Sequence, residues 1–456
     1  MRKLILAAAL LGVTALAPAD ERVHEQVLDN GLKVIVKEDH RAPIVTSQVW
    51  YKVGSSYEHG GLTGISHALE HMMFKGTERH GPGKFSEIIS ANGGDENAFT
   101  SRDYTAYFQS LAKDRLAVAF ELEADRMRNL TLPAAEYAKE IEVVKEERRL
   151  RTEDSPTALT AERFSATAYL ASPYRNPVIG WMSDLDALSV DEVRAWYRTW
   201  YAPNNATLVV AGDVDPQQVF ALAARYFGPL KAERTGVSKP RAEPPQDGIK
   251  RVLVKAPAKE PYLIMGYKAT QAGGAGPDWE PYALEMLASI LDGGSSARLD
   301  RELVRGSEVA ASVDADYNAF TRLPEMFSLD GTPGKGHSVG DLEQALRVQV
   351  ERIKNEPVSP GELERVRNQV IASKVFEQDS VFYQAMQIGQ LESVGLSWRL
   401  ADQYVKRLSA VTADQVQAVA RKYLTDDNLT VAVLAPQPMN GKQPRTDAPG
   451  DVHVLR

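Results

Sequence analysis

Hydrophobic spacing along the chain alternates between two periods, and the alternation predicts the elements. Residues 27–36 hold apolar positions on both sides of Asn30-Gly31, the signature of a hairpin. Residues 44–53, IVTSQVWYKV, alternate as a strand that ends at Gly54-Ser55-Ser56. In 64–74, GISHALEHMMF, the residues Ile65, Ala68, Leu69, Met72 and Met73 recur at three- and four-residue steps behind Gly64, which predicts a helix. The spacing then predicts a helix near 84–91, an edge strand from 97 to about 110, a long helix over 113–129 and a charged helix over 136–151. Asp154-Ser155-Pro156 closes that last helix, 188–192 caps another, and the strand 206–214 ends the first half.

The pattern then repeats. Residues 189–213 align without gaps on 412–436 at a constant offset of 223, with Asp191/Asp414, Val193/Val416, Ala195/Ala418, Arg198/Arg421, Asn205/Asn428, Thr207/Thr430 and Val210/Val433 identical. A helix-turn-strand unit recurring at a domain-sized interval implies two copies of one domain rather than a solenoid. Between them, 231–250 carries Pro240, Pro244 and Pro245 among charges, the composition of a linker. The expected organisation is a leader over 1–19, a first domain over 20–230, the linker, a second domain over 251–440 and a polar tail over 441–456.

The leader matters for compartment. Arg2 and Lys3 precede an apolar run from Leu4 to about Leu16, and Ala17-Pro18-Ala19 offers a small-x-small cleavage site. The run is shorter than the roughly 20 residues that span a bilayer. It therefore reads as a secretory signal, with an uncleaved anchor as the alternative, and the mature protein is expected to be periplasmic or secreted with no membrane span. The chain has no cysteine, which excludes disulfides and thiolate ligands. Removal of 1–19 leaves 51 basic against 61 acidic residues, a net charge of −10, and no basic cluster suggests nucleic acid as a partner.

With thiolates excluded, a metal would need histidine and carboxylate. His67 and His71 lie one turn apart on one helix face, a geometry that brings two imidazoles to one zinc ion. Glu70, in the order His-x-x-Glu-His, is placed to act as general base toward a water at such a centre. Two surface histidines beside a glutamate, with no metal, is the plain alternative. A catalytic zinc takes three protein ligands, and the helix 136–151 offers one: Glu140 and Glu147 are seven residues apart and share a face, whereas Glu146 falls about 100° away. Glu147 is the better candidate. Glu136, Glu142 and Glu146 read as a solvated charged face, and His24, His40, His59, His80, His337 and His453 as surface or loop residues. Trp196 and Trp200 read as core.

On these residues the chain resembles the pitrilysin/insulinase family of zinc peptidases, the inverzincins, and its processing-peptidase-like bacterial branch. The family's third ligand follows the second histidine by some 76 residues; here 147 − 71 = 76. The resemblance implies that Glu140 assists catalysis without binding metal. It also implies that Gly93-Gly94-Asp95-Glu96-Asn97-Ala98-Phe99-Thr100 leads into an edge strand, where Asn97, Ala98, Phe99 and Thr100 take up a peptide substrate by strand addition. The implied fold is α+β: two homologous domains, each an antiparallel sheet with helices on one face, arranged like a clam about the linker. In the second copy, helix 281–291 has no histidine, and Asp292-Gly293-Gly294-Ser295-Ser296-Ala297-Arg298-Leu299 matches a family turn. Many members follow that turn with an arginine and, seven residues on, a tyrosine that hold the substrate carbonyl; here Val304 and Ala311 fill those slots. The expected function is a zinc endopeptidase completed by a homologous subunit that carries the pair, with a homodimer using Tyr317 or a nearby arginine as runner-up. The alternative is a catalytically silent assembly or scaffold subunit.

Overall fold

The computed structural model describes residues 22–236, 239 and 241–439. The expected leader 1–19, the tail 441–456 and His453 lie outside the described residues. The first half runs β1 (Val23–Val27), β2 (Lys33–Glu38), β3 (Ile44–Tyr51), α1 (Ile65–Met72), α2 (Lys84–Ala91), β4 (Asp95–Thr100), β5 (Thr105–Ala112), α3 (Leu116–Asn129), α4 (Ala134–Arg148), α5 (Pro156–Ala168), α6 (Met182–Ala187), α7 (Val190–Trp200), β6 (Ala206–Gly212) and α8 (Pro216–Tyr226). The second runs β7 (Lys250–Pro257), β8 (Tyr262–Lys268), α9 (Glu280–Leu291), β9 (Ala310–Asp316), β10 (Met326–Pro333), α10 (Val339–Asn355), α11 (Pro360–Glu377), α12 (Val381–Ser393), α13 (Arg399–Ser409), α14 (Ala413–Tyr423) and β11 (Leu429–Gln437).

Each half builds one sheet, in the orders β1-β2-β6-β3-β5-β4 and β7-β11-β8-β10-β9. The sheets are antiparallel except where the last strand of each half slots in parallel to an early one, β6 on β2 and β11 on β7. The repeated helix-turn-strand segment is α7 with β6 and α14 with β11. It supplies the closing strand of each sheet, and the two halves are therefore homologous α+β domains. The expected single strand over 97–110 is instead the hairpin β4–β5, turned at 101–104, and only β4 is the sheet edge. Ser101-Arg102-Asp103 breaks the alternation, and Tyr104 closes the turn by accepting the Ser101 N–H.

Helices cover one face of each sheet, as expected, and Trp196 and Trp200 belong to the first of these cores. The opposite faces are covered by exchange. Helix α5 of the first half lies on β7, β11 and β8, while α12 of the second half lies on β6 and β3. Each crossing sets a ring into a glycine notch. A Cβ on Gly389 of α12 would sit 2.1 Å from the Trp50 indole, and one on Gly266 of β8 would sit 2.2 Å from the Phe164 ring of α5. Burial of such rings stabilises by about 1.5–3 kcal/mol each, so the halves are interlocked as well as joined by the chain between them. In that connecting stretch, Glu243 accepts the N–H groups of Leu170, Ala171 and Ser172 and pairs with Lys268, tying both halves together. No helix among the described residues is long and apolar enough to cross a membrane.

Candidate metal centre

Helix α1 starts from Gly64, whose φ of 87° places it in the left-handed region that favours glycine. Its apolar residues Ile65, Ala68, Leu69 and Met72 face the first core, which turns His67 and His71 to the other side. Their rings lie 4.8 Å apart. Helix α4 runs past them and presents Glu147, whose Oε2 is 3.7 Å from His67 Nε2 and 3.3 Å from His71 Nε2. Among the described residues this trio alone brings three candidate ligand atoms within 4.8 Å of one another. Two ligands bound tetrahedrally at about 2.0–2.1 Å stand about 3.3 Å apart, so the donors fit a zinc ion with tenths of an ångström of adjustment. Two imidazoles and a carboxylate are also the donor chemistry that catalytic zinc takes.

For His67 and Glu147 the electrostatics favour the same reading. Burial, with the neighbouring His71 charge, lowers His67 to about 4, so its imidazole is neutral and able to ligate at pH 7. Burial opposes ionisation of Glu147, but its bond with His71 and the charges of His67 and Arg151 hold it down at about 2. Burial likewise opposes protonation of His71, yet Glu147, Glu70 and Glu140 raise it. Glu70 shares the pocket without joining the trio; burial pushes it up to about 7, against a 2.5 Å hydrogen bond donated by Thr100 Oγ1. A carboxyl poised near neutrality is what general acid–base chemistry requires.

Glu140, nearly two turns before Glu147 on α4, points at His71 Nδ1 from 3.4 Å and is itself held by Lys75 at 2.6 Å. It therefore orients the imidazole from behind, the usual place of a carboxylate that supports a metal-binding histidine. His67 Nδ1 is buried with no hydrogen-bond partner among the described residues. Arg151, on the turn beyond α4, pairs with the other Glu147 oxygen at 2.8 Å.

The edge strand borders the pocket. Ala98 packs toward α1 and Thr100 reaches Glu70, while the Ala98 N–H is met by the Asn97 side-chain oxygen at 2.8 Å. Phe99 points to the opposite face, against Trp50 and Tyr104. Phe99 nonetheless borders the same cavity as Asn97, Ala98 and Thr100. A cavity of about 1000 Å³ runs from His67, Glu70, His71 and Glu147 along β4, past Ala161 and Ser165 of α5, to Phe382, Tyr383 and Met386 of α12.

Sequence reasoning did not find that α12 wall. The repeat could have: α5 and α12 begin at 156 and 381, an offset of 225 close to the repeat's 223. Neither Val304 nor Ala311 borders the cavity. Tyr317 donates its hydroxyl to the Thr270 carbonyl, and the Arg322 guanidinium binds Ser56 and Asp103 across the two halves, so both are already engaged in holding the fold. His24 and His40 meet surface carboxylates, outside any metal group.

Residues 33–180 match the family described as Insulinase (Peptidase family M16), and 187–370 match its companion, Peptidase M16 inactive domain. The chain is 31% identical to zinc protease PqqE of Helicobacter pylori over 91% of its own length and 93% of that protein's. A crystal structure of a protease from Helicobacter pylori superposes with a TM-score of 0.86 at 28% identity, covering 91% of this chain and 99% of that one. The periplasmic protease PqqL of Escherichia coli superposes with a TM-score of 0.78 at 20% identity, over 93% of this chain but 48% of that longer one. On the sequence match over nearly its whole length and the paired domain matches, the chain belongs to the insulinase family of zinc proteases, peptidase family M16.

Proposed function

We propose that the protein is a zinc-dependent endopeptidase acting on peptides or unfolded segments, exported after loss of residues 1–19. The observation that carries this reading is the convergence of His67, His71 and Glu147 beside Glu70 at a free strand edge. Zinc held by the three would supply a Lewis acid that lowers the pKa of a water toward about 7 and polarises a peptide carbonyl. Glu70 takes the proton of the attacking water and returns it to the leaving amine. Thr100, bonded to Glu70, fixes that carboxylate where the substrate strand passes. Glu140 orients His71, and Arg151 steadies Glu147. The edge of β4 holds the peptide by backbone hydrogen bonds, so side-chain selectivity is loose.

A homologous subunit bearing the arginine and tyrosine absent at Val304 and Ala311 would complete the site. The fold's use as about half of a longer chain in the Escherichia coli relative supports that pairing. Loss of one donor at a developing oxyanion costs about a hundred- to a thousandfold in rate, so the isolated chain should be a weak peptidase. The alternative is a silent scaffold subunit, favoured by those same two substitutions. The deciding experiment is zinc content and turnover of a quenched peptide by the mature chain, alone and with co-purifying protein. Zinc near one per chain and a slow rate raised by a partner support the proposal. Zinc-free protein, inert in both settings, overturns it in favour of the scaffold.

A further inference from the structure

The ligands come from two helices, α1 and α4, that must be held to within a fraction of an ångström for one ion to satisfy all three donors. What sets that spacing is a contact behind the site. Gly64, at the start of α1, and Gly180, in the loop before α6, both have φ of 87° and lie back to back. A Cβ on Gly64 would stand 2.5 Å from the Ile179 carbonyl oxygen, and one on Gly180 would stand 2.4 Å from that of Thr63. No side chain fits at either position, so the two backbones touch directly.

A buried carboxyl and a buried guanidinium clamp the two sides of this contact. On the α1 side Glu58, 6% exposed, accepts the Gly64 N–H at 2.8 Å with one oxygen and the Ser66 N–H at 2.9 Å with the other. It caps the zinc helix one residue before His67, and a carboxylate there also suits the helix dipole. On the α4 side Arg148, the neighbour of Glu147 and 4% exposed, donates to the Gly180 carbonyl at 2.8 Å. The same guanidinium makes a two-bond pair with Glu162 of α5, at 2.8 and 3.2 Å. Asp184 Oδ2 closes the loop by accepting from the Thr63 N–H and hydroxyl, at 3.1 and 2.6 Å. From Glu58 to Arg148 the connection runs through hydrogen bonds and one backbone contact, with no long flexible side chain between.

We infer that Glu58 and Arg148 are positioning residues for the metal: through the Gly64–Gly180 contact they set the distance from Glu147 to His67 and His71. The inference rests on the zinc site proposed above. Removing partners that support ligands from behind typically costs about 10–100-fold in metal affinity, and that range is expected for Glu58→Gln and for Arg148→Lys. Glutamine turns an amide toward one of the two N–H groups. Lysine keeps a charge for Glu162 but lacks the fork that reaches Gly180 at the same time.

The test is zinc affinity of the full mature chain, by competition with a chelator, beside the thermal midpoint of the metal-free chain. The double variant completes a cycle. Each single variant should bind zinc about 10–100-fold more weakly, and the double should lose less than the product of the two because both act on one contact. The absorption spectrum of the cobalt-substituted chain should change in the same variants, reporting altered ligand geometry. Wild-type-like zinc affinity in either folded variant, or effects that multiply independently, overturns the inference while leaving the zinc site standing. If Arg148→Lys does not fold, Glu58→Gln with the cobalt spectrum decides alone: an unchanged spectrum and affinity overturn it. A wild-type chain that binds no zinc overturns the functional reading and this inference together.

Discussion

The helices that open the two catalytic-sized clefts, α1 in the first half and α9 in the second, carry a glutamate at the same place, five residues after their first: Glu70 and Glu285. Burial raises both to about 7. Each cleft has a comparable volume, about 1000 and 1180 Å³, and each lies along a free edge strand, β4 or β9. Aligned on their first residues, His67 and His71 of α1 correspond to Tyr282 and Met286 of α9, which are 2% and 0% exposed and belong to the second core. Glu285 receives a hydrogen bond from Tyr404 where Glu70 has Thr100 and the ligand trio. The scaffold thus supplies the cleft, the edge and the protonatable carboxyl in both halves. A few side chains add candidate metal ligands in one.

The largest expected effect tests whether those two glutamates differ in function. Glu70→Gln should keep zinc near one per chain and lower peptide turnover by about a hundred- to ten-thousandfold, whereas Glu285→Gln should leave turnover unchanged. A fully active Glu70→Gln would erase the contrast. Next, giving α1 the residue of its counterpart, His71→Met, should abolish zinc binding measured by elemental analysis, and Glu147→Gln should also lose metal. Zinc retained by either variant would place the ion elsewhere.

A third measurement sharpens the contrast from the second half. Glu285 keeps its proton in the folded chain up to about 7, against an ordinary value of 4.5. The folded state therefore binds more protons than the unfolded state between those values. The stabilisation is complete below about 4.5 and lost as pH rises through about 7. Urea unfolding should show wild type losing up to about 2 kcal/mol relative to Glu285→Gln between about pH 5 and about pH 8; parallel curves for the two would refute the shift. The smallest effect concerns the edge. Ala98→Pro removes one strand donor, and one hydrogen bond is worth about 0.5–1.5 kcal/mol. Turnover should drop by roughly two- to tenfold with zinc content unchanged, and an unaffected rate would put the substrate on another surface.

Much of this was legible along the chain because the signals are local. The i, i+4 histidines need only a helix, and Ile65, Ala68, Leu69 and Met72 specify one. The repeat at offset 223 announced two domains before any strand was placed. The 97–110 stretch reads as one strand because strand-like residues flank Ser101-Arg102-Asp103 on both sides, and the turn is fixed by hydrogen bonds within the fold rather than by a Gly or Pro signal. The role of Glu140 is implied by the family resemblance, but its contact with His71 and Lys75 depends on how α4 crosses α1.

The sequence by itself determined the helix that carries the two histidines, the duplication and the candidate ligands, since each rests on spacing within a few turns or on an exact repeat length. Tertiary structure alone decided three things. It set Phe99 against Trp50 and Tyr104, on the sheet face that a helix from the other half fills. It brought Phe382, Tyr383 and Met386 to the zinc-side cavity from more than 300 residues beyond His71. And it joined Gly64 to Gly180, a contact between two glycines 116 positions apart, since 180 − 64 = 116. Those contacts depend on interhelix packing and the exchange of α5 and α12, which side-chain periodicity within one element does not encode.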